Sequence, residues 1–513
     1  MKSAASLAGA LMLAGFLALS GCRSEDLLAR GILVVGLESN PMNLDPRIAT
    51  DAASSRINQL IYRGLFGKNP SGQVVPDLVE TWEQPDPTTY RFLIRQGIRF
   101  HDGRPLEAED VRYTFESLLD KDLGSPLRAT YQAIASVECP KHDSVVFRLR
   151  QPEASFLANL DLGIVPRPDS VEQDRNYRVH PVGCGPFEFV SWEQGHEIRL
   201  LANRATPDGP PKVQEIRFKI IPDNTVRVLE LRKGSVHLIQ NDFQPEVLPI
   251  LERQGRFTIL KGEGTYYSYL GFNLKDPILG SVIVRQAIAH ALDREAMIDH
   301  LLGGLAAPAT GVLSPMNWAY EAQVKTYPYD PEKSKALLDA AGYPDPDGDG
   351  PRKRFCLTYK TSQNDLRRRI AEAIQNQLDA VGIEVRIRSY EWGTFFSDIQ
   401  KQNFQMYALT WVGVTDPDIF TYIFSAKSFP PLGANRGQYE NPEIDRLLEE
   451  GRRTQDPEAR KRIYSRVQKI LAEDLPYVSL WYGMNVVVMD RRIQGFSGYP
   501  NGDLISLKDV WVH

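Results

Sequence analysis

The sequence predicts an α/β protein of several domains, and three observations carry the prediction. Helices with a 3.6-residue apolar period alternate with period-two strands along the whole chain. An acceptor-proline-carboxylate helix start recurs three times. The length of 513 residues exceeds a single core at roughly 100–200 residues per domain. Hydrophobic residues make up 42% and charged residues 24%, a globular balance without repeats or low-complexity linkers.

In chain order, strands are expected over Ile32 to Val35 and Tyr90 to Ile94, where β-branched and aromatic residues cluster. Ala108 to Asp120 places Val111, Phe115, Leu118 and Leu119 on one helical stripe. Strands follow at Val145 to Leu149 and Glu215 to Ile221. Val284 to Leu302 carries Ile288, Leu292, Ile298 and Leu301 at helical spacing, so one helix is expected there, closed by Gly303-Gly304. Asp330-Pro331-Glu332, Asn441-Pro442-Glu443 and Asp456-Pro457-Glu458 each supply an N-cap acceptor, a proline that lacks no needed N–H, and a carboxylate at the positive helix end. The helix Asp365 to Ala380 ends near Gly382 and feeds the alternating strand Ile383 to Arg388, an α/β unit. A last strand is expected over Val486 to Met489.

Sixty Lys and Arg against 65 Asp and Glu give a formal charge of -5, which lacks the basic footprint of a nucleic-acid binder. Lys2 precedes nineteen uncharged residues, Ser3 to Gly21, and the run ends Leu19-Ser20-Gly21-Cys22. This is the n-region and h-region of an export signal, and its end resembles the bacterial lipobox, in which the Cys thiol is acylated before cleavage. The expectation is a signal peptide over 1–21 and a mature chain lipid-anchored at Cys22 on the periplasmic or extracellular face of the cell envelope. A single membrane-spanning anchor is the competing reading, since roughly 20 apolar residues cross a bilayer. Beyond Cys22 remain Cys139, Cys184 and Cys356, so at most one intramolecular disulfide can form.

Chemical motifs are missing. The chain has no CxxC, HExxH, GxSxG or P-loop, and Gly262-Glu263-Gly264-Thr265 lacks the third glycine of a dinucleotide turn. Asp345 to Gly350 begins like a calcium loop, but its twelfth place is Cys356 instead of Glu, so it reads as an acidic turn. Gly183-Cys184-Gly185-Pro186 reads as a crowded turn, and His101-Asp102 as a structural turn. No catalytic residue, metal or cofactor is expected.

Several segments together resemble one family. Pro76-Asp77-Leu78-Val79-Glu80-Thr81-Trp82 is followed by Phe100-His101-Asp102-Gly103-Arg104-Pro105-Leu106 and Glu107-Ala108-Glu109-Asp110-Val111. Asn43-Leu44-Asp45-Pro46, Pro181 to Phe187, Tyr269 to Asn273, Val284 to Glu295 and Tyr329 to Lys333 fall in the same order. The collinear set is similar to the family 5 extracellular solute-binding proteins, the oligopeptide-, dipeptide- and nickel-binding components of bacterial ABC importers.

The resemblance implies a two-lobed periplasmic binding protein of type II fold with an extra domain in the first lobe. The first lobe's core would comprise 22–59, 190–268 and 485–513, the extra domain 60–189 and the second lobe 269–484. Chain crossings near Tyr266 to Asn273 and Pro476 to Val486 would form the hinge. The implied function is capture of a small solute, a peptide foremost, and its delivery to ABC permease subunits by a monomer. Alternatives are a sugar or metal-chelate binder, a sensory lipoprotein of the same fold and, last, a lipid-anchored hydrolase.

Implied ligand contacts are Thr50 and Asp51, Trp392 and Trp411, which lie nineteen apart as in oligopeptide-binding members, and Trp481 and Tyr482. In peptide-binding relatives an Asp three residues after the second tryptophan pairs with the peptide's α-ammonium, and here that place is Val414. A buried ammonium without a carboxylate is costly, so Asp416 or Asp51 would supply the charge, or the ligand is not a free peptide.

Overall fold

The computed structural model describes residues 26–70, 72–241, 243–348 and 350–513. The expected signal segment and Cys22 lie outside the described residues. No helix among the described residues is long and apolar enough to cross a membrane.

Two long strands organise the molecule. Phe257–Phe272 and Tyr477–Asp490 pair antiparallel along nearly their full length, from Phe257 opposite Asp490 to Gly271 opposite Tyr477. At one end of this ribbon, Tyr267 to Phe272 recruits Met406–Trp411, then Phe355–Ser362 and Ile383–Tyr390. At the other end, Val487 to Met489 recruits Leu238–Gln240, then Ile32–Leu37, Glu215–Ile220, Glu197–Ala202 and Phe187–Glu193. The two lobes are thus halves of one sheet sharing a two-stranded waist. Parallel pairs, such as Ile32–Leu37 with Glu215–Ile220 and Phe355–Ser362 with Ile383–Tyr390, require crossover connections, and the helix Asp365–Asp379 supplies the second.

Each lobe buries its own core. Leu33, Ile57, Phe187, Ile216 and Leu238 belong to the first, and Leu270, Ile288, Leu357, Ile374 and Met406 to the second. A separate four-stranded antiparallel sheet, in the order Val79–Asp86, Thr89–Ile94, Ser144–Leu149, Ile134–Lys141, forms the extra domain with the helix Ala108–Leu119. Its core is aromatic: Phe147 meets Phe92, Phe115 and Phe156 edge-on at centroid distances of 5.7, 5.1 and 5.3 Å.

The repeated helix starts work as their chemistry dictates. The side chains of Asp330, Asn441 and Asp456 accept from the N–H groups of Lys333, Ile444 and Ala459, and each such cap is worth about 1 kcal/mol. One expectation needs correction. The stretch expected as a single helix over Val284 to Leu302 is two, Val282–Ala291 and Arg294–Leu302, because the Asp293 carboxylate accepts from Ala296 N–H at 2.9 Å and starts the second. The strand expected at Val486 to Met489 is the end of a 14-residue strand. Its partner Phe257–Phe272 breaks the alternating pattern with Gly262 and Gly264. A Cβ on Gly264 would stand 2.5 Å from the Gly483 carbonyl oxygen, so the close approach at the waist requires glycine.

The two turns with reactive side chains are structural. Gly183 and Gly185 press on the helix Ala52–Ile61, and a Cβ on Gly183 would lie 2.0 Å from the Ile61 carbonyl oxygen. Cys184 between them is buried, which pushes its thiol up to about 12. Burial holds His101 down at about 4, so it is neutral, bracing the same turn through Nε2 to Gly185 O at 3.1 Å. Cys139, Cys184 and Cys356 are free thiols.

Candidate functional site

A cleft of about 1470 Å³ lies between the lobes and takes lining from both. Its first-lobe wall includes the helix Ala52–Ile61, whose N-cap is Asp51. The Asp51 carboxylate accepts from Ser54 N–H at 2.9 Å and Ser54 Oγ at 2.6 Å, so it is committed to starting that helix, and burial pushes it up from the usual carboxylate range. Thr50 adjoins it on the wall.

The second-lobe wall is aromatic. Trp392 opens the helix Trp392–Gln400, which Glu391 caps by accepting from Gly393 and Thr394 N–H, and its ring stacks on Phe396 at 5.3 Å. Trp411 ends the strand Met406–Trp411 and lies parallel to Tyr269 at 6.3 Å. Both indole rings line the cleft, and neither buried Nε1–H has a protein partner. Trp481, from the waist, lines the cleft as well.

Thr50, Asp51, Trp392, Trp411 and Trp481 are therefore gathered in one cavity, whereas Val414, Asp416 and Tyr482 are outside its lining. Gly413 has a positive φ of 73°, and the chain turns there to bury Val414 in the second lobe's aromatic cluster. Asp416 accepts from Arg460 Nη1 and Nη2 at 3.2 and 2.8 Å. The Tyr482 hydroxyl donates to the carbonyls of Gly311 and Leu313.

The cleft also holds charged groups that no motif announced. Lys68 and Asp161 form a 2.5 Å ion pair, and Asp503 accepts from Asn501 Nδ2, with burial pushing its carboxyl upward. Arg436 is 5% exposed and lies over the rings of Trp411 and Phe396 at 5.0 and 5.2 Å. Its loop is clamped: Asn435 Nδ2 donates to Ser425 O and Tyr439 O, and a Cβ on Gly437 would stand 2.5 Å from Phe272 O. Asn435-Arg436-Gly437 carries no spacing that marks it in the sequence.

The extra domain reaches the second lobe beside the cleft. Arg452 touches Glu153 and Asp418, and its Nη2 donates to the carbonyl of cleft-lining Thr130 at 3.1 Å.

Comparison with known proteins agrees with this architecture. The family model described as bacterial extracellular solute-binding proteins, family 5 middle, matches residues 73–429. The oligopeptide-binding protein AppA of Bacillus subtilis is 31% identical over 535 aligned positions covering 98% of this chain and 97% of AppA. Its structure with a nonapeptide superposes with a TM-score of 0.88 at 29% identity, covering 94% of this chain and 99% of AppA. DppA of Helicobacter pylori in complex with the peptide STSA gives 0.87 at 28% identity, with 94% and 98% covered. NikZ of Campylobacter jejuni in complex with Ni(L-His) gives 0.86 at 25%, with 94% and 99% covered.

Proposed function

Because the chain belongs to the bacterial extracellular solute-binding proteins of family 5, binding proteins and not enzymes, we propose that it captures a small solute, foremost a peptide, between its lobes and delivers it to the permease subunits of an ABC importer. The observation that carries this reading is the cleft itself. At about 1470 Å³ it exceeds the roughly 300–1,000 Å³ of pockets for drug-sized ligands, and it presents tryptophan faces that cover side chains without selecting among them.

The mechanism is capture by closure. A ligand that touches both walls binds the closed state better than the open one, and only that difference shifts the population. The proposed division is a first-lobe core of 22–59, 190–268 and 485–513, an extra domain of 60–189 and a second lobe of 269–484. The proposed setting is the envelope surface, where a monomer lipidated at Cys22 would be tethered near its permease. The relatives crystallised with a nonapeptide and with the peptide STSA support a peptide ligand.

A second reading, a non-peptide solute such as a metal chelate, is favoured by one observation: the place of the ammonium-binding Asp is the buried Val414, and Asp416 is occupied by Arg460. Native mass spectrometry of the protein as purified tests both. A co-purified peptide mass series supports the first reading, and a non-peptide ligand overturns it.

A further inference from the structure

We propose that Arg436 is the carboxylate receptor of the cleft, and that the pocket around Trp411 selects an anionic end of the ligand instead of an ammonium. The proposal rests on the cleft being the solute site and adds which chemical end of the solute is read, and by what.

The starting observation is a buried cation without an anion. Arg436 is 5% exposed, and among the described residues no carboxylate pairs with it. Of its five N–H donors, one reaches a protein oxygen, Nη1 to the Tyr269 hydroxyl, at a long 3.4 Å. A desolvated charge so poorly partnered is costly unless another group completes it. The rings of Trp411 and Phe396, within 5.0 and 5.2 Å, offset part of that cost through their negative faces and orient the planar fork. They supply no hydrogen-bond acceptor in the guanidinium plane. Arg436 lines the cleft, so the open donors meet whatever occupies it.

The surroundings have the same polarity. Trp392 and Trp411 form part of the same wall, and their indole N–H groups are buried without a protein acceptor. Neighbouring acids are spoken for. Glu391 accepts from Gly393 and Thr394 N–H, Asp398 from Lys360 Nζ, and Asp416 from Arg460. Val414, three residues past Trp411, is apolar and turned into the core. With the hydroxyls of Tyr269, Tyr407, Tyr422 and Tyr477 around the guanidinium and no free carboxylate among them, the corner fits a planar oxyanion, and the guanidinium fork matches a carboxylate in two-point geometry that a lysine ammonium does not reproduce. The carboxylate could be the C-terminus of a peptide or belong to a non-peptide organic acid.

The test compares wild type, Arg436→Met and Arg436→Lys by calorimetric titration and thermal shift against two probe sets. One is a panel of di- to hexapeptides as free acids, C-terminal amides and N-acetylated acids. The other is a panel of organic monocarboxylic acids with their primary amides. The expected result is that wild type prefers acid over amide by at least about tenfold and tolerates N-acetylation, that Arg436→Met abolishes the preference, and that Arg436→Lys restores part of it. Loss of packing alone would weaken acid and amide equally. If Arg436→Met does not fold, the wild-type preference and its reduction in Arg436→Lys decide. The same pattern with organic acids while every peptide fails would discard the peptide reading and leave the carboxylate receptor standing. Equal binding of acid and amide by wild type, an unchanged preference in the variants, or no acid of either panel binding wild type overturns the proposal.

Discussion

Arg452, in the last turn of the second-lobe helix Pro442–Arg453, contacts Glu153 of the extra domain at 2.9 Å, with side chains 11% and 1% exposed. Asp418 touches the same guanidinium at 3.2 Å, and the backbone follows, Ala154 N–H donating to Arg452 O at 2.7 Å. Two carboxylates, one from the extra domain and one from the second lobe, share one cation. Ser155 Oγ donates to Glu153 at 3.0 Å, and the Tyr90 and Tyr464 hydroxyls and Arg460 complete the charged and titratable surroundings. Burial, then the Asp418 charge, raises Glu153 from the ordinary 4.5 to about 7, against the pull of Arg452.

That arrangement predicts that closure takes up a proton. An acid raised in the closed state contributes its full stability below its ordinary value and loses it as pH rises through the raised one. If the open state returns Glu153 to water, closure weakens between about pH 5 and 8, by about 1–3 kcal/mol. Scattering at fixed sub-saturating ligand should show a smaller closed fraction at pH 8 than at pH 5.5, and Glu153→Gln should flatten the dependence. Identical slopes for wild type and Glu153→Gln would remove the latch from the account of closure.

Closure itself should be visible at the waist. The paired strands cross between lobes with a register irregularity between Glu263 and Tyr266, where Gly264 meets Gly483. Saturating ligand is expected to reduce the radius of gyration and raise Tm together, because binding selects a folded, closed state. Unchanged scattering at saturation would defeat the hinge while leaving binding intact.

The proposed anchor makes the Cys22 sulfur the acylated atom, so removing that thiol should remove the anchor. Cys22→Ala protein is expected to lose detergent-phase partitioning. Maturation and partitioning like wild type would show that the lipobox reading is wrong.

The crowded turn at Gly183 gives a stability prediction. A methyl group there would penetrate to 2.0 Å of the Ile61 carbonyl, which no rotamer relieves, so Gly183→Ala should cost about 1–3 kcal/mol or more and lower Tm by several degrees. Cys184→Ser should change ligand binding little, because the thiol is buried and pushed up to about 12. Loss of binding in Cys184→Ser with an unchanged Tm would reopen a functional role for that cysteine.

Local chemistry made much of the fold legible: Asp330, Asn441 and Asp456 cap their helices, and the alternation at Ile383 to Arg388 is a strand. The waist was not legible, because Gly262 and Gly264 interrupt the period, and only the partner strand reveals the close crossing that requires Gly264. Asp293 shows the same limit at shorter range. The apolar spacing runs on from one helix into the next, and a single capping carboxylate decides that there are two. At the site, the family resemblance, through its matching pair of tryptophans, led to Trp392 and Trp411, which line the cleft. Arg436 and Asp503 arrive there from loops whose placement depends on tertiary clamps such as the Asn435 side chain, and spacing carries no trace of those.

Asp416 provides the sharpest separation of the two ligand readings. Its carboxylate is engaged twice by Arg460, whose guanidinium also lies 5.3 Å over Trp318 and 5.4 Å over Tyr464. A carboxylate already holding a buried guanidinium has little left for a peptide ammonium. Asp416→Asn leaves Arg460 without its anion; breaking a buried pair costs ~3–5 kcal/mol, and the 24% exposure of Asp416 brings the expectation to about 1–3 kcal/mol, a Tm loss of a few degrees. The affinity ratio between free and N-acetylated peptides should stay the same in Asp416→Asn as in wild type. Should free peptide weaken tenfold or more while the acetylated form is spared, Asp416 serves the peptide ammonium in place of Arg460, and the peptide reading stands.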